Sequence, residues 1–251
     1  MKTFVVTGCS EKNNLGYMIV KEIESKIGNC HVIAICASGS SFLKAKPDLI
    51  DELYVCDLSN EFDIEIVCNI IKDSNEKIDV LINCAGMNTN EWFEESTNKK
   101  FDELMSINGR AIYQMTRELL DKISNANGTV LNIVSNASHI PMRCSLAYNA
   151  SKAAAKMITK QMAHELTKKF GITVFSISPN KLDGTDMSKF VDRKIPELRG
   201  WTENFSKEYQ ANALVTGKET NPQVLAEFIV FLLSTKERHF FLSGCDIEYG
   251  A

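Results

Sequence analysis

The sequence predicts an α/β fold, a single doubly wound parallel sheet with helices on both faces. Three observations predict it. Short apolar, β-branched runs alternate along the chain with longer segments of helical period. The runs are apolar at consecutive positions, the pattern of strands covered on both faces. The first run passes through a glycine-bearing turn directly into a helical segment.

Each element follows from local pattern. Lys2-Thr-Phe-Val-Val-Thr7 predicts a buried strand over 2–7. Gly8-Cys-Ser-Glu-Lys-Asn-Asn-Leu-Gly16 forms the turn, and Tyr17, Met18, Val20, Ile23 and Ile27 recur at helical spacing, predicting a helix over 15–27. Further strands are expected near 31–36, 52–56, 78–83, 129–134 and 172–178, with a last one near 245–249. Helices are expected near 61–73, 98–123, 147–170 and 221–234. Right-handed crossovers then put ligand sites at the carboxyl ends of the strands. No repeat, low-complexity tract or linker divides the chain, so residues 1–251 are read as one domain.

Composition agrees. The chain has 251 residues, 44% hydrophobic and 24% charged, within the range of globular proteins. A net charge of −4 gives no reason to expect nucleic-acid binding. No apolar run reaches the length of a membrane span, and Phe4-Val-Val already belongs to the fold, so neither a membrane anchor nor a signal peptide is expected. The eight cysteines include no C-x-x-C pair and no Cys/His cluster at zinc spacing. They are read as reduced thiols of a cytoplasmic protein, and no metal site is expected. Of the four scattered histidines, His139 follows Ser135 closely; it either borders a site there or packs at the surface.

The chemistry is carried by three residues. Ser135 lies thirteen positions before Tyr148, and Lys152 lies four after it. Tyrosine alone is a poor acid, with a pKa of about 10. A lysine at i+4 shares its helix face, and its charge favours the phenolate. A serine hydroxyl can hydrogen-bond the oxygen that gains or loses the proton. The trio suits proton transfer to and from a carbonyl/alcohol pair.

With these residues in order, the chain resembles the short-chain dehydrogenase/reductase family from Lys2 to about Tyr249. The markers are Thr7-Gly8 with Gly16; Asp57-Leu58; Asn83-Cys84-Ala85-Gly86; Asn108; Ser135; Tyr148 with Lys152; and Ser178-Pro179 with Thr185. The resemblance implies a Rossmann-like fold and reversible hydride transfer between a nicotinamide cofactor and a carbonyl carbon. It makes Tyr148 the general acid/base, Ser135 the group that polarises the substrate oxygen, Lys152 the residue that lowers the tyrosine pKa and grips the cofactor ribose, and Asn108 the end of the proton path. Gly8, Ser10, Asn14, Leu15 and Gly16 are expected around the pyrophosphate. Asp57 and Leu58 are expected at the adenine, Asn83, Ala85 and Gly86 near the ribose, and Pro179 and Thr185 beside the nicotinamide and phosphates.

The glycine turn departs from the family pattern. It is two residues longer, and Asn14 stands where the middle glycine would be. Asparagine tolerates left-handed backbone, so the turn is expected to survive. The longer loop resembles that of the enoyl-carrier-protein reductases, but those enzymes place six residues between Tyr and Lys; here the gap is three. At the end of the second strand, Cys36-Ala37-Ser38-Gly39 lacks the acid that NAD enzymes of the family use for the ribose hydroxyls. Lys12, in the glycine loop, offers a partner for a 2′-phosphate, and Ser38 a hydrogen bond. NADP(H) is therefore expected over NAD(H), which stays possible; the alternative for Lys12 is a solvated loop lysine.

The substrate is read only as a small-molecule carbonyl or alcohol, either acyl-like and carrier-linked or a sugar. Residues 87–96, 136–147 and 182–218 are expected to shape the substrate's site; the last stretch, which holds Met187, Trp201, Phe205 and Tyr209, is expected to form a lid with an apolar lining, the alternative being plain packing against the body. A regulatory, non-catalytic nucleotide-binding role is the competing function class; the complete Ser135–Tyr148–Lys152 set argues against it. The family pairs the helices near 98–123 and 147–170 between subunits, so a homodimer or homotetramer is expected.

Overall fold

The computed structural model describes residues 1–250. Its strands are β1 (Lys2–Thr7), β2 (Cys30–Cys36), β3 (Glu52–Val55), β4 (Val80–Asn83), β5 (Thr129–Ile133), β6 (Thr173–Pro179) and β7 (Asp246–Tyr249). They form one sheet in the order β3-β2-β1-β4-β5-β6-β7, parallel throughout. Phe4 pairs with Val32 on one side and with Val80 on the other. The chain winds outward to β3, returns to β4 beside β1, and then winds the other way. The carboxyl ends of β1 and β4 therefore open a crevice where the winding reverses.

The helices are α1 (Leu15–Lys26), α2 (Glu61–Ser74), α3 (Asn98–Met105), α4 (Ala111–Glu118), α5 (Leu120–Asn125), α6 (Leu146–Phe170), α7 (Asp186–Arg199), α8 (Glu203–Asn212), α9 (Pro222–Leu233) and α10 (Lys236–His239). Successive side chains of a strand point to opposite faces, and the two cores divide accordingly. Phe4, Val6, Val32, Ile82 and Phe175 join Ile19 of α1 and Ile229 of α9 in one core. Val5, Ile33, Leu81 and Val130 join Ile64 of α2 and Met115 of α4 in the other. Each such side chain fully removed from water contributes about 1.5–3 kcal/mol.

The element boundaries follow local chemistry. Asn221 accepts from the N–H groups of Gln223 and Val224 and starts α9, with Pro222 at its first position. Gly171, at φ +68°, ends α6 in the left-handed conformation that glycine adopts without cost.

Two expectations are corrected here. The helix expected over 98–123 is not continuous: α3 and α4 are separated by a π-helical turn at Ser106–Arg110, and α5 begins after Leu119. Asn14 is not left-handed. Its φ is −88° and its ψ 146°, an extended residue at the start of α1. The two extra loop residues let the chain enter the helix without a second positive φ; the left-handed backbone falls at Gly8, with φ +80°. Segment 182–218, read as a lid or as plain packing against the body, holds α7 and α8.

Candidate active site

The crevice is built from close backbone contacts. A Cβ on Gly8 would lie 2.9 Å from the backbone of Ala85, and one on Gly16 would lie 2.7 Å from the Gly8 oxygen. Both glycines are required because strand, turn and helix touch there. Thr7 Oγ1 accepts from the N–H groups of Cys84 and Ala85, both at 3.0 Å, and ties the end of β1 to the turn after β4. Asn14 makes no side-chain cap bond, so the first N–H groups of α1 keep their donors free of it. Leu15 anchors that helix start in the core. Ser10 Oγ accepts from Ala37 N–H at 3.3 Å, and Ser10 O accepts from Ser40 Oγ at 2.6 Å, stitching the glycine loop to the segment after β2.

Asn108 sits in the π-helical turn and is fully buried. Such turns admit one extra residue and re-aim their side chains. Its Oδ1 accepts from Met87 N–H, and its Nδ2 donates to Met87 O and Ser151 Oγ, all at 2.9 Å. This fastens the helix to the segment after β4. Gly86 faces the same point: a Cβ there would lie 3.3 Å from Lys152 Nζ and 3.4 Å from Asn108 Oδ1.

Tyr148 and Lys152 occupy one face of α6 near its start, 8% and 4% exposed. Lys152 Nζ lies 5.9 Å from the Tyr148 ring centre and donates to Ile133 O at 3.1 Å. Burial lowers the Lys152 pKa to about 8, with Cys84 opposing the shift. Burial raises that of Tyr148, and a hydrogen bond with Ser135 works against the rise. The lowering of the tyrosine pKa expected from lysine is not seen here: burial dominates at both groups, and the opposing pull on Tyr148 comes from Ser135. Ser135 caps the short turn after β5, its Oγ accepting from Ala137 N–H at 3.1 Å. Asn149 Nδ2 donates to Ala137 O at 2.8 Å and Ile140 O at 2.6 Å, fixing that turn to α6. Leu104, Ala137, Ala147 and Met87 pack around Tyr148.

Several expected site residues also have structural partners. Asn83 Nδ2 donates to Asn132 Oδ1, and Asn132 Nδ2 to Thr159 Oγ1, both at 2.8 Å, so Asn83 links the sheet to α6. Asp57 Oδ1 accepts from Ser59 N–H at 2.8 Å and Ser59 Oγ at 2.7 Å, a turn leading into α2. Leu58 packs against the core on the α2 face. Thr185 caps α7, accepting from Ser188 N–H at 3.3 Å and donating to Leu182 O at 3.2 Å. Pro179 ends β6 opposite Tyr249. Ser38 and Lys12 are exposed. His139 is also exposed, with Nε2 3.4 Å from Glu248 Oε1.

Met187, of the expected lid, meets the site, and two further contacts were not expected. Met187 reaches within 3.9 Å of the point where a Gly86 Cβ would lie, bringing α7 over the site. Asn13 Nδ2 donates to Asp186 Oδ1 at 2.6 Å, joining the glycine loop to the start of α7. Glu11 accepts from Ser41 N–H at 2.9 Å and from Ser41 Oγ at 2.5 Å. Glu11, Lys12 and Asn13 border a cleft of about 370 Å³ with Ser41 and Phe42. These contacts depend on how the segment after β2 and segment 182–218 fold against the glycine loop.

The family profile described as short chain dehydrogenase matches residues 2–196. A 3-oxoacyl-[acyl-carrier-protein] reductase of Rickettsia bellii is 31% identical over 207 residues, covering 78% of this chain and 82% of that protein. The solved structure of L-sorbose reductase from Gluconobacter frateurii, complexed with NADPH and L-sorbose, is similar with a TM-score of 0.84 at 23% identity, covering 100% of this chain and 95% of that one. The structure of NAD+-bound xylitol dehydrogenase is similar with a TM-score of 0.86 at 18% identity, covering 100% and 98%. By profile, by its likeness to the Rickettsia reductase and by fold, the chain belongs to the short-chain dehydrogenase/reductase family of oxidoreductases.

Proposed function

We propose that the chain is an NADP(H)-dependent oxidoreductase that interconverts a small-molecule carbonyl compound and its alcohol, with Tyr148 as general acid/base. The observation that carries this reading is the meeting of Ser135, Tyr148, Lys152 and Asn108 beside Gly86, at the carboxyl edge of the sheet. A dinucleotide fits the residues present. Gly8 and Gly16 let strand, turn and helix close on one another, and α1 begins there without a side-chain cap, which leaves its first N–H groups for a pyrophosphate. Gly8, Ser10, Asn14, Leu15 and Gly16 would hold the pyrophosphate, Ala85 and Gly86 the ribose, and Asp57, Leu58, Pro179 and Thr185 the two ring ends. Asn83 would support them through the sheet.

When bound, the cofactor supplies the hydride. The rest falls to the chain. Tyr148 transfers a proton at the substrate oxygen, and Ser135 holds that oxygen through a hydrogen bond. Lys152, buried and titrating near 8, adjusts the tyrosine and passes protons toward Asn108. Positioned acid–base catalysis of this kind is worth about 10²–10⁴-fold. The absence of an acid at Ala37-Ser38-Gly39 and the exposure of Lys12 support NADP(H). The Glu11 carboxylate is held by Ser41, and the exposed Lys12 lines the same cleft as its positive group.

The first test is titration of the protein with NADPH and NADH. Tighter binding of NADPH, reduced in Lys12→Ala, is expected; equal affinities or an unchanged preference would overturn the cofactor assignment. Tyr148→Phe is expected to lose nearly all turnover while keeping nucleotide binding. Retained turnover would sink the acid–base role.

A further inference from the structure

Asn149 stands directly after Tyr148 in the first turn of α6, and the proton-transfer scheme makes no use of it. A polar amide is mildly unfavourable within a helix, because it competes for backbone partners. This one turns away from its own helix. Its Nδ2 donates to Ala137 O at 2.8 Å and to Ile140 O at 2.6 Å. Both partners are carbonyl oxygens, so the orientation of the amide is determined: its oxygen in that place would meet two acceptors. The remaining atom, Oδ1, is shielded from solvent without a partner. An unpaired buried acceptor costs about 1–3 kcal/mol, comparable with what two such bonds contribute. The net contribution of the amide to stability is accordingly small, and its worth lies in what the two bonds hold in place.

They hold the segment that carries Ser135. Residues 135–140 form one tight turn: Ser138 N–H donates to Ser135 O at 2.9 Å, and the N–H groups of His139 and Ile140 both donate to Asn136 O at 3.2 Å. Ser135 Oγ accepts from Ala137 N–H at 3.1 Å. The backbone of Ala137 thus meets Ser135 through its N–H and Asn149 through its carbonyl. Among the described residues, no other side chain donates to a carbonyl of 136–140. His139 binds outward, with Nδ1 3.4 Å from Lys156 Nζ and Nε2 3.4 Å from Glu248 Oε1, and leaves the backbone of the turn to Asn149.

A serine hydroxyl carries one proton. The bond accepted from Ala137 N–H sets the rotation of the Ser135 hydroxyl and leaves that proton for the Tyr148 oxygen, with which it is hydrogen-bonded, or for a substrate oxygen. Tyr148 and Asn149 are consecutive, so one rigid helical turn carries the phenol and also sets where the hydroxyl facing it stands. Resting on the acid–base reading of Tyr148, we propose that Asn149 is a positioning residue, which holds the Ser135 hydroxyl on the Tyr148 oxygen through the backbone of Ala137.

The test places an isotopic label at Cζ of tyrosine and follows the Tyr148 resonance of the full chain, with and without NADPH. Its loss in Tyr148→Phe identifies it. Asn149→Ala is expected to displace the resonance in the same direction as Ser135→Ala. The double variant is expected to move it no further than Ser135→Ala alone, because both changes remove one hydrogen bond. With saturating NADPH and diacetyl, a small activated diketone, kcat of Asn149→Ala is expected to fall about tenfold to a hundredfold with KM nearly unchanged, the scale of a misplaced reacting group. Asn149→Asp keeps the shape of the side chain and puts an acceptor where the donor was. It is expected to lose as much at pH 7 and to recover part of it toward about pH 5, where a protonated carboxyl donates to one of the two carbonyls. A resonance left in place by both variants overturns the proposal, and so does an additive displacement in the double variant. A lower melting temperature with kcat and the resonance unchanged also overturns it, since Asn149 would then be a structural tie only. The resonance is read without turnover. A wild type that binds NADPH and reduces no carbonyl therefore counts against the oxidoreductase reading, while the displacement still decides the role of Asn149.

Discussion

Gly86 shows how a single missing side chain serves the site. An added Cβ would lie 3.3 Å from Lys152 Nζ and 3.4 Å from Asn108 Oδ1, so Gly86→Ala presses on the Lys152 ammonium. The expected result is a fall in kcat of about tenfold or more, the cost of a small misplacement of positioned groups, with little change in melting temperature. Lys152 allows a second prediction. Its folded pKa of about 8 lies below the ordinary 10.5. Between those values the unfolded chain binds the extra proton, so stability rises with pH across that window. Relative to Lys152→Met, the wild type is expected to gain up to about 3 kcal/mol from pH 8 to 10.5, at 1.36 kcal/mol per pKa unit. Chemical denaturation of both proteins across that range measures it; parallel pH profiles would refute it. At this scale the Ser135–Tyr148–Lys152 trio was legible because i+4 spacing on a helix is geometry. Segments 87–96 and 182–218, with Met187, were legible as neighbours of the site, but the contact of Met187 with Gly86 and the bond from Asn13 to Asp186 were not, because both join segments far apart in sequence.

Among the elements, α6 is fixed over the sheet by charge as well as packing. Lys156 Nζ lies 2.9 Å from Asp246 Oδ2, whose carboxylate also accepts from Ser176 Oγ at 2.6 Å and Ser178 Oγ at 2.8 Å. Burial works to raise the Asp246 pKa, but these partners together hold it below the usual carboxylate range. Their stabilisation is present at neutral pH and is lost as pH falls through the folded pKa. Asp246→Asn is expected to cost about 3 kcal/mol at pH 7, the size found when one partner of a buried ion pair is removed. The difference should shrink in acid, and thermal melts at both pH values check it. Strands and most helices were legible from apolar runs and period. The interruption at Ser106–Arg110 was not, because the extra residue of a π-helical turn is held by the contacts of Asn108 with Met87 and Ser151 rather than by a local pattern. Nor were α7 and α8, because their sequences are mostly polar: Phe205 and Tyr209 are half exposed and stack on Trp201 rather than in the core.

The whole molecule has two cores on one sheet, as the alternation of apolar strands and helices predicted. The order of the strands is a property of the crossovers rather than of any local pattern. On its outside, Tyr113 of α4 and Met157 of α6 are exposed apolar residues on the helices expected to pair between subunits. A homodimer or homotetramer through these faces is proposed, and Met157→Glu is expected to shift light-scattering mass toward the monomer; a wild type already monomeric at micromolar concentration would refute it. No described helix is long and apolar enough to cross a membrane. The bond from Asn13 to Asp186 has one more consequence. It joins the loop that would receive the nucleotide to the helix that carries Met187 over the reaction centre. A nucleotide arriving after the substrate would have to part that helix from its loop with the substrate already beneath it. Arrival in the opposite sequence asks for no such step. Steady-state kinetics should therefore be ordered, with nucleotide first on and last off, and the released nucleotide should be competitive only against its own redox partner.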